Sequence, residues 1–204
     1  YTTGPFWATV DFDPGVGVVN LTSTGGADMF IQKLDASGSL VWVRRIGGAG
    51  NDAGNDIALD AAGNVYTTGA FSGTVDFDPG AGTSNVTAQG GSDIFIQKLN
   101  SSGNLVWVKN FGTSVSNSSG VNIALDASGN VYTTGSFNGG TIDFDPGAGV
   151  ANLSGGGTFI SKLNAAGNYV WAKNFSATSF LRCEGLAVDA SGNVYLNGYF
   201  QGTV

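Results

Sequence analysis

Fifteen acidic side chains stand against eight basic ones, and there is no histidine, so the chemistry open to this chain begins with its aspartates. Six of them form pairs two residues apart: Asp11 with Asp13, Asp76 with Asp78, and Asp143 with Asp145, each inside a VDFDPG or IDFDPG stretch. On a strand, residues i and i+2 share a face, so both carboxylates of a pair would point one way and the phenylalanine between them the other. Two carboxylates with nearby turn carbonyls make the start of a Ca²⁺ site, because that cation takes six to eight hard oxygen ligands. The competing reading leaves the first Asp solvated, has the second cap an Asp-Pro-Gly turn, and packs Phe12, Phe77 and Phe144 inward. Ca²⁺ is the one cofactor these residues suggest.

A second hint lies in GGAGNDA from Gly47, which has the G-G-x-G-x-D-x form that binds Ca²⁺ when stacked in tandem. It occurs once, and GTSVSNSSG and SATSFLRCEG stand at the equivalent places. It therefore reads as a flexible connection, with Asn51, Asp52, Asn55 and Asp56 able to supply one local site. Trp42, Trp107 and Trp171 return at intervals of 65 and 64 residues and read as packing residues. Trp7 is different, because Ser72 and Asn138 stand at its equivalent positions. An exposed ring beside polar groups is a way of holding a sugar, which makes Trp7, Asn51 and Asp52 the candidate ligand-binding residues. Lys33, Lys98 and Lys162 share one equivalent position and Arg44, Lys109 and Lys173 another; such cations cover apolar surface with their stems or pair with acids. Tyr66, Tyr132 and Tyr195 read as packing residues with a hydroxyl to satisfy.

Catalysis finds little support. Without histidine, Ser–His and Cys–His nucleophile systems within this chain are excluded, as are His-ligated metals. Glu184 is the sole glutamate and Cys183 the sole cysteine, so no disulfide forms within the chain. A pair of aspartates could serve glycoside hydrolysis, yet none is set apart from its equivalents as a catalytic residue should be. The expectation is a protein that is not an enzyme and has no catalytic residues. A net charge of −7 argues against nucleic acid, which needs a basic footprint. No stretch approaches 18 apolar residues, which argues against membrane insertion.

These residues recur because the chain does. NVYTTG begins at Asn64 and at Asn130, YTTG opens the chain at Tyr1, and NVYLNG begins at Asn193. The period is about 65 residues, which gives approximate repeats at 1–55, 56–119 and 120–183 and a partial one at 184–204. Within each period a short apolar run, Asp or Asn, two small residues, Gly, a polar residue and another apolar run occur twice. The six turns run Asp35 to Ser39, Asp60 to Asn64, Asn100 to Asn104, Asp126 to Asn130, Asn164 to Asn168 and Asp189 to Asn193. The Asp or Asn side chain accepts backbone N–H bonds, the small residues fill a type I turn, and Gly takes the left-handed position that closes a bulged hairpin. The flanking runs, rich in Val, Ile, Phe, Tyr and Trp, are strands.

Two hairpins per period give four strands, too small a unit to bury its own aromatic faces. The spacing therefore predicts an all-β fold of β-propeller blades, four antiparallel strands each, over 1–204 as one region. A β-helix would have shorter coils and an immunoglobulin-like module more strands. The excess over the usual 40 to 50 residues of a blade falls in FSGTVDFDPGAGTSNVTAQGGS and its copies, and predicts an extra FDPG hairpin projecting from each blade. Three periods are too few for a ring of four to eight blades, so an incomplete part of a larger propeller is expected, completed by further blades of a parent chain or by another copy.

The repeat resembles the bacterial repeat family named after the seven-bladed β-propeller. The residues that carry it are GNDIALDAAGNVYTTGAF from Gly54, GVNIALDASGNVYTTGSF from Gly120 and EGLAVDASGNVYLNGYF from Glu184. VDFDPG followed by a GG-D-F-I-K-L strand is similar to the variant in large secreted or cell-surface proteins of Bacteroidetes-type bacteria; the third copy departs from it where Thr158 replaces Asp28 and Asp93. The resemblance implies an extracellular location or the outer cell surface of a bacterium, and partners there: carbohydrate, protein, or other copies of the chain. It implies no catalytic set. Recognition or adhesion is the first function expected, a structural spacer or stalk segment the alternative, and part of a polysaccharide-active enzyme a remoter one. Divergence in the segments around Asn51, after Gly112 and after Ser176 favours recognition.

Overall fold

The computed structural model describes residues 1–115, 117–175 and 180–202. The divergent stretch that follows Ser176 falls outside the described residues. The chain is all-β, with repeated antiparallel units arranged as propeller blades would be. The first unit holds β1 (Thr2–Phe6), β2 (Thr9–Asp11), β3 (Asn20–Thr22), β4 (Asp28–Leu34) and β5 (Leu40–Gly48). The second holds β6 (Ala53–Leu59), β7 (Val65–Phe71), β8 (Thr74–Asp76), β9 (Asn85–Thr87), β10 (Asp93–Leu99) and β11 (Leu105–Phe111). The third holds β12 (Ser118–Leu125), β13 (Val131–Phe137), β14 (Thr141–Asp143), β15 (Asn152–Ser154), β16 (Gly157–Leu163) and β17 (Tyr169–Phe175). β18 (Phe180–Val188) and β19 (Val194–Gln201) begin a fourth.

Two blades are complete, with strand orders β6-β7-β10-β11 and β12-β13-β16-β17. The first has β1-β4-β5 and the fourth β18-β19, so among the described residues the first lacks an inner strand and the fourth lacks its two outer ones. The inner strand β6 stands between β1 and β12, and the inner strand β12 stands against β18 as well.

All six expected turns form. In each, the N–H of the first residue donates to the carbonyl of the fifth, and the Gly N–H returns to the carbonyl of the first. The glycine is in the left-handed region, as at Gly38 (φ 84) and Gly63 (φ 77). Because the strands alternate in direction, these turns gather at one end of the blades. The FDPG hairpins and the connections from one blade to the next lie at the other.

Burial on both faces of each sheet explains why strict alternation is weak in the sequence. In β10, Ile94 and Ile96 join Ile123, Val131 and Phe159 of the third blade, while Phe95 and Leu99 join Met29, Ile31 and Ile46 of the first. The core is thus a set of interfaces between consecutive repeats, as units too small to shield their own faces require.

The FDPG hairpins exist as β2–β3, β8–β9 and β14–β15, but they do not simply project. Phe77 is buried against Phe71 and Phe95 at centroid distances of 5.2 Å each, and the first and third units repeat this trio as Phe6, Phe12, Phe30 and Phe137, Phe144, Phe159. In the second unit, β8 also pairs with Gly47 and Gly48 at the end of β5, which joins the hairpin to the preceding blade. A Cβ at Gly48 would collide with the Thr74 carbonyl oxygen, so glycine is what permits this approach. Among the described residues no helix is long and apolar enough to cross a membrane.

Candidate functional site

The three candidate ligand-binding residues come together. Trp7, Asn51 and Asp52 line a cleft of about 380 Å³ on the end that carries the FDPG hairpins, joined by Ser72, Ser92 and Asn117. The repeat explains the grouping. Trp7 and Ser72 are equivalent residues just after β1 and β7, and Asn51 and Asn117 are equivalent residues just before β6 and β12. Successive blades thus deliver different side chains, Trp7 and Ser72, from the first of these places and an asparagine each time from the second. Sequence reasoning missed Ser72, Ser92 and Asn117, although their equivalence to Trp7 and Asn51 was the available signal for two of them.

Trp7 is 61% exposed, as expected of a ring that no other repeat copies. Its neighbour Ala8 has φ 58, in the left-handed region, where the other units place Gly73 and Gly139. Ser23 holds that conformation: its Oγ accepts the Ala8 N–H at 2.9 Å and its own N–H donates to the Ala8 carbonyl at 3.0 Å. A non-glycine residue in this conformation costs about 1–2 kcal/mol, and here it lies beside the one unrepeated exposed tryptophan.

The GGAGNDA connection is tied down rather than free. Asn51 Oδ1 accepts the Ala27 N–H at 3.0 Å, its own N–H donates to Ser72 Oγ at 2.8 Å, and its carbonyl accepts the Ser72 hydroxyl at 3.0 Å. Asp52 is fully buried and accepts the N–H groups of Gly48 at 2.8 Å and Ser72 at 3.1 Å. Burial pushes its carboxyl above the ordinary value; the two N–H bonds oppose the shift, Asp28 adds to it, and Arg45 opposes it. Asn55 and Asp56 turn to the third blade instead. Asn55 Nδ2 donates to the Gly120 carbonyl at 2.7 Å, and Asp56 Oδ2 accepts the Ile123 N–H at 2.8 Å.

The paired aspartates act as loop braces. Only Asp11, Asp76 and Asp143 lie in strands, because β2, β8 and β14 end there. Asp11 Oδ1 accepts the N–H groups of Asp13 at 3.0 Å and Val19 at 2.9 Å, so the first Asp spans the loop as well as facing water. Those bonds hold its carboxyl below the ordinary range. Asp13 Oδ1 caps the turn through the Gly15 N–H at 2.7 Å. The same bonds recur at Asp76 and Asp78 and at Asp143 and Asp145. A Cβ at Gly17, Gly82 or Gly149 would collide with Oδ2 of the second Asp, which explains the DPGxG spelling by space rather than φ. Among the described residues no group of three or more acidic or cysteine side chains gathers to hold a metal.

The repeated cations also find their places. Lys98 Nζ lies 4.8 Å from the Tyr66 ring centroid and 3.9 Å from Asp60 Oδ2, and Lys162 stands likewise over Tyr132, 3.6 Å from Asp126 Oδ2. Arg44 donates to the carbonyls of Ser102 and Gly103 in the next blade, where Trp42 Nε1 also reaches the Ser101 carbonyl. The two lysines fasten strands within a blade, whereas Arg44 and Trp42 fasten one blade to the next; all of them lie outside the cleft. The cleft itself offers an open indole face, amides and hydroxyls, and one buried carboxylate, which together suit stacking and hydrogen bonding to a polyhydroxyl or peptide surface.

Comparison with known proteins agrees with the repeat. The profile of the family described as "Beta-propeller repeat" matches residues 41–70, from β5 through β7, and includes Asn51 and Asp52. An uncharacterized WD repeat-containing protein of Acanthamoeba polyphaga mimivirus is 32% identical over 133 residues, 63% of this chain and 9% of that protein. The chain therefore spans less than a tenth of the length of this relative, and what the two share is a repeat of β-propeller or WD type.

Proposed function

We infer that the chain is a recognition module that binds carbohydrate or protein and performs no catalysis of its own. The observation that carries this reading is the cleft between the first two blades, where Trp7 stands exposed among Asn51, Ser72, Ser92 and Asn117. Successive repeats keep the turns alike at one end and differ here, as a binding surface grafted on a fixed scaffold does. The setting is a large secreted or cell-surface protein of bacterial type, with an adhesive role; its support is the likeness of the VDFDPG repeats to that variant. On a glycan and polysaccharide array the chain is expected to bind a restricted set of ligands, and Trp7→Ala to lose that binding by tenfold or more, since ring stacking and exclusion of water go with it. Binding unchanged by Trp7→Ala would remove the cleft from the reading.

A spacer or stalk role is the second reading, supported by a core made of interfaces between consecutive repeats of one design. Ca²⁺ at the FDPG hairpins is a separate proposal. It is supported by two carboxylates per hairpin whose Oδ2 atoms make no hydrogen bond within the described residues, the Oδ1 atoms being taken by N–H groups. The remaining ligands would come from turn carbonyls and water. Thermal unfolding in calcium should then exceed that in a chelator, and identical midpoints would dispose of the proposal.

A further inference from the structure

Asp93 opens β10 in the second blade, which has a neighbour on each side, and it is fully buried. Its Oδ2 accepts the Gln89 N–H at 3.0 Å, whereas its Oδ1 makes no hydrogen bond. The equivalent carboxylate of the first blade, Asp28, is met by a base, the Arg45 guanidinium, which donates to its Oδ2. Asn110 stands in β11 where β5 has Arg45, each opposite the phenylalanine of the adjoining strand, Phe95 or Phe30. The third blade has Asn174 at that place too, but there Thr158 replaces the acid. Acid and base are thus both present in the first blade and both gone from the third, while the second keeps the acid alone. Among the described residues no lysine or arginine forms an ion pair with Asp93. Asp28 Oδ1 is unbonded as well, yet there the charge is already met.

The surroundings of the acid differ in a second respect. In the first blade Asp28 lies against Gly47, where a Cβ would collide with its carboxyl, and close enough to Asp52 for its charge to push that carboxyl's pKa up. Gly112 leaves Asp93 the same space, and Ser118 stands at the place of Asp52. The Ser118 N–H donates to the Ser92 carbonyl at 3.0 Å, as that of Asp52 does to the Ala27 carbonyl at 2.8 Å. The Ser118 hydroxyl is buried and, like Asp93 Oδ1, makes no hydrogen bond. A buried carboxylate left without a partner is so costly that such groups are paired or bind a metal ion. We propose that this junction binds an alkali-metal cation, sodium or potassium, in the place that the Arg45 guanidinium takes in the first blade, with Asp93 Oδ1 and Ser118 Oγ among its ligands. Oxygen donors suit a hard cation, and one positive charge balances the single carboxylate. Calcium sites gather more carboxylate charge than this, and among the described residues no three acidic side chains come together to supply it. Ser92, the residue before Asp93, lines the cleft, so the junction lies next to solvent.

The test is thermal unfolding of the whole chain in sodium, potassium and choline chloride at equal ionic strength, with a chelator present so that calcium plays no part. The melting temperature is expected to be higher in the salt of the bound metal than in choline chloride. The rise should be about 3–6 °C once the ion is in roughly tenfold excess over its Kd, and the sodium and potassium arms tell the two ions apart. Asn110→Arg, which gives Asp93 the base that Asp28 has, should melt alike in all three salts, and so should Asp93→Asn. Equal melting of the parent chain in the three salts would mean that water alone meets Asp93 and would overturn the proposal. So would a salt difference that survives in either variant, which would place the ion elsewhere.

Discussion

Asp126 Oδ1 accepts the N–H groups of Ser128 at 2.9 Å and Asn130 at 3.0 Å, while Oδ2 takes the Asn130 amide at 2.8 Å and the Tyr132 hydroxyl at 3.1 Å. Burial raises its carboxyl pKa, but these bonds outweigh burial and leave it below the ordinary value, as at Asp60. Asp35 and Asp189 are lowered too, chiefly by Ser37 and Asn193. A carboxyl whose folded-state pKa is depressed contributes stability above its unfolded value, near 3.9, and loses it as pH falls through the folded value. Asp52, raised by burial, has the opposite sign: its contribution is present below the unfolded value and lost as pH rises. The lowered groups outnumber it, so the melting temperature should fall as pH drops from about 5 to 2. Asn100 and Asn164 make the same two Oδ1 bonds with an amide oxygen, so Asp126→Asn should fold. Having lost the charged Oδ2, it should be about 1–2 kcal/mol less stable at pH 7. Urea unfolding at pH 7 and pH 3 should show that gap narrowing in acid, because below the unfolded value the unfolded wild-type chain takes up a proton that the folded carboxylate resists.

At the scale of the element, what was legible in the sequence was local. Each hairpin turn closes within five residues, so Asp or Asn, two small residues and Gly suffice to announce it. The FDPG hairpin was legible as a hairpin for the same reason, but its destination was not. Gln97 Nε2 donates to the Phe77 carbonyl at 2.7 Å, and Gln32 to the Phe12 carbonyl at 2.6 Å, across 20 residues of sequence that carry no pattern linking the partners. The third unit has Ser161 at that position, with a buried Oγ that makes no hydrogen bond, so one element is fastened differently in different blades. The cleft divides the same way. Trp7 stood out by breaking the repeat, whereas Ser92 is an ordinary serine until the fold brings it beside Asn117, to which it is bridged.

For the whole molecule, stability resides in contacts between blades, and each blade feels only its neighbours. The outer rim shows this most plainly. Trp42 and Arg44 rest on the turn at Gly103, and Trp107 and Lys109 on the turn at Gly167, where φ of 77 and 81 and the closeness of those side chains both call for glycine. Arg44, Lys109 and Lys173 are equivalent, yet Lys173 is exposed, with no hairpin of a fourth blade before it among the described residues. The same truncation should therefore have unequal effects. Arg44→Ala removes two hydrogen bonds from a charged donor to the next blade and the guanidinium over Trp42, at a cost of about 2–3 kcal/mol. Lys173→Ala should stay within about 0.5 kcal/mol of the parent. Because the first blade has three core strands and a single neighbour among the described residues, the Arg44 loss should release it ahead of the rest of them. In hydrogen exchange, amides of β1, β4 and β5 should then lose protection while those of β10, β13 and β16 keep theirs. Uniform loss across all blades would mean that the units are coupled beyond their nearest neighbours.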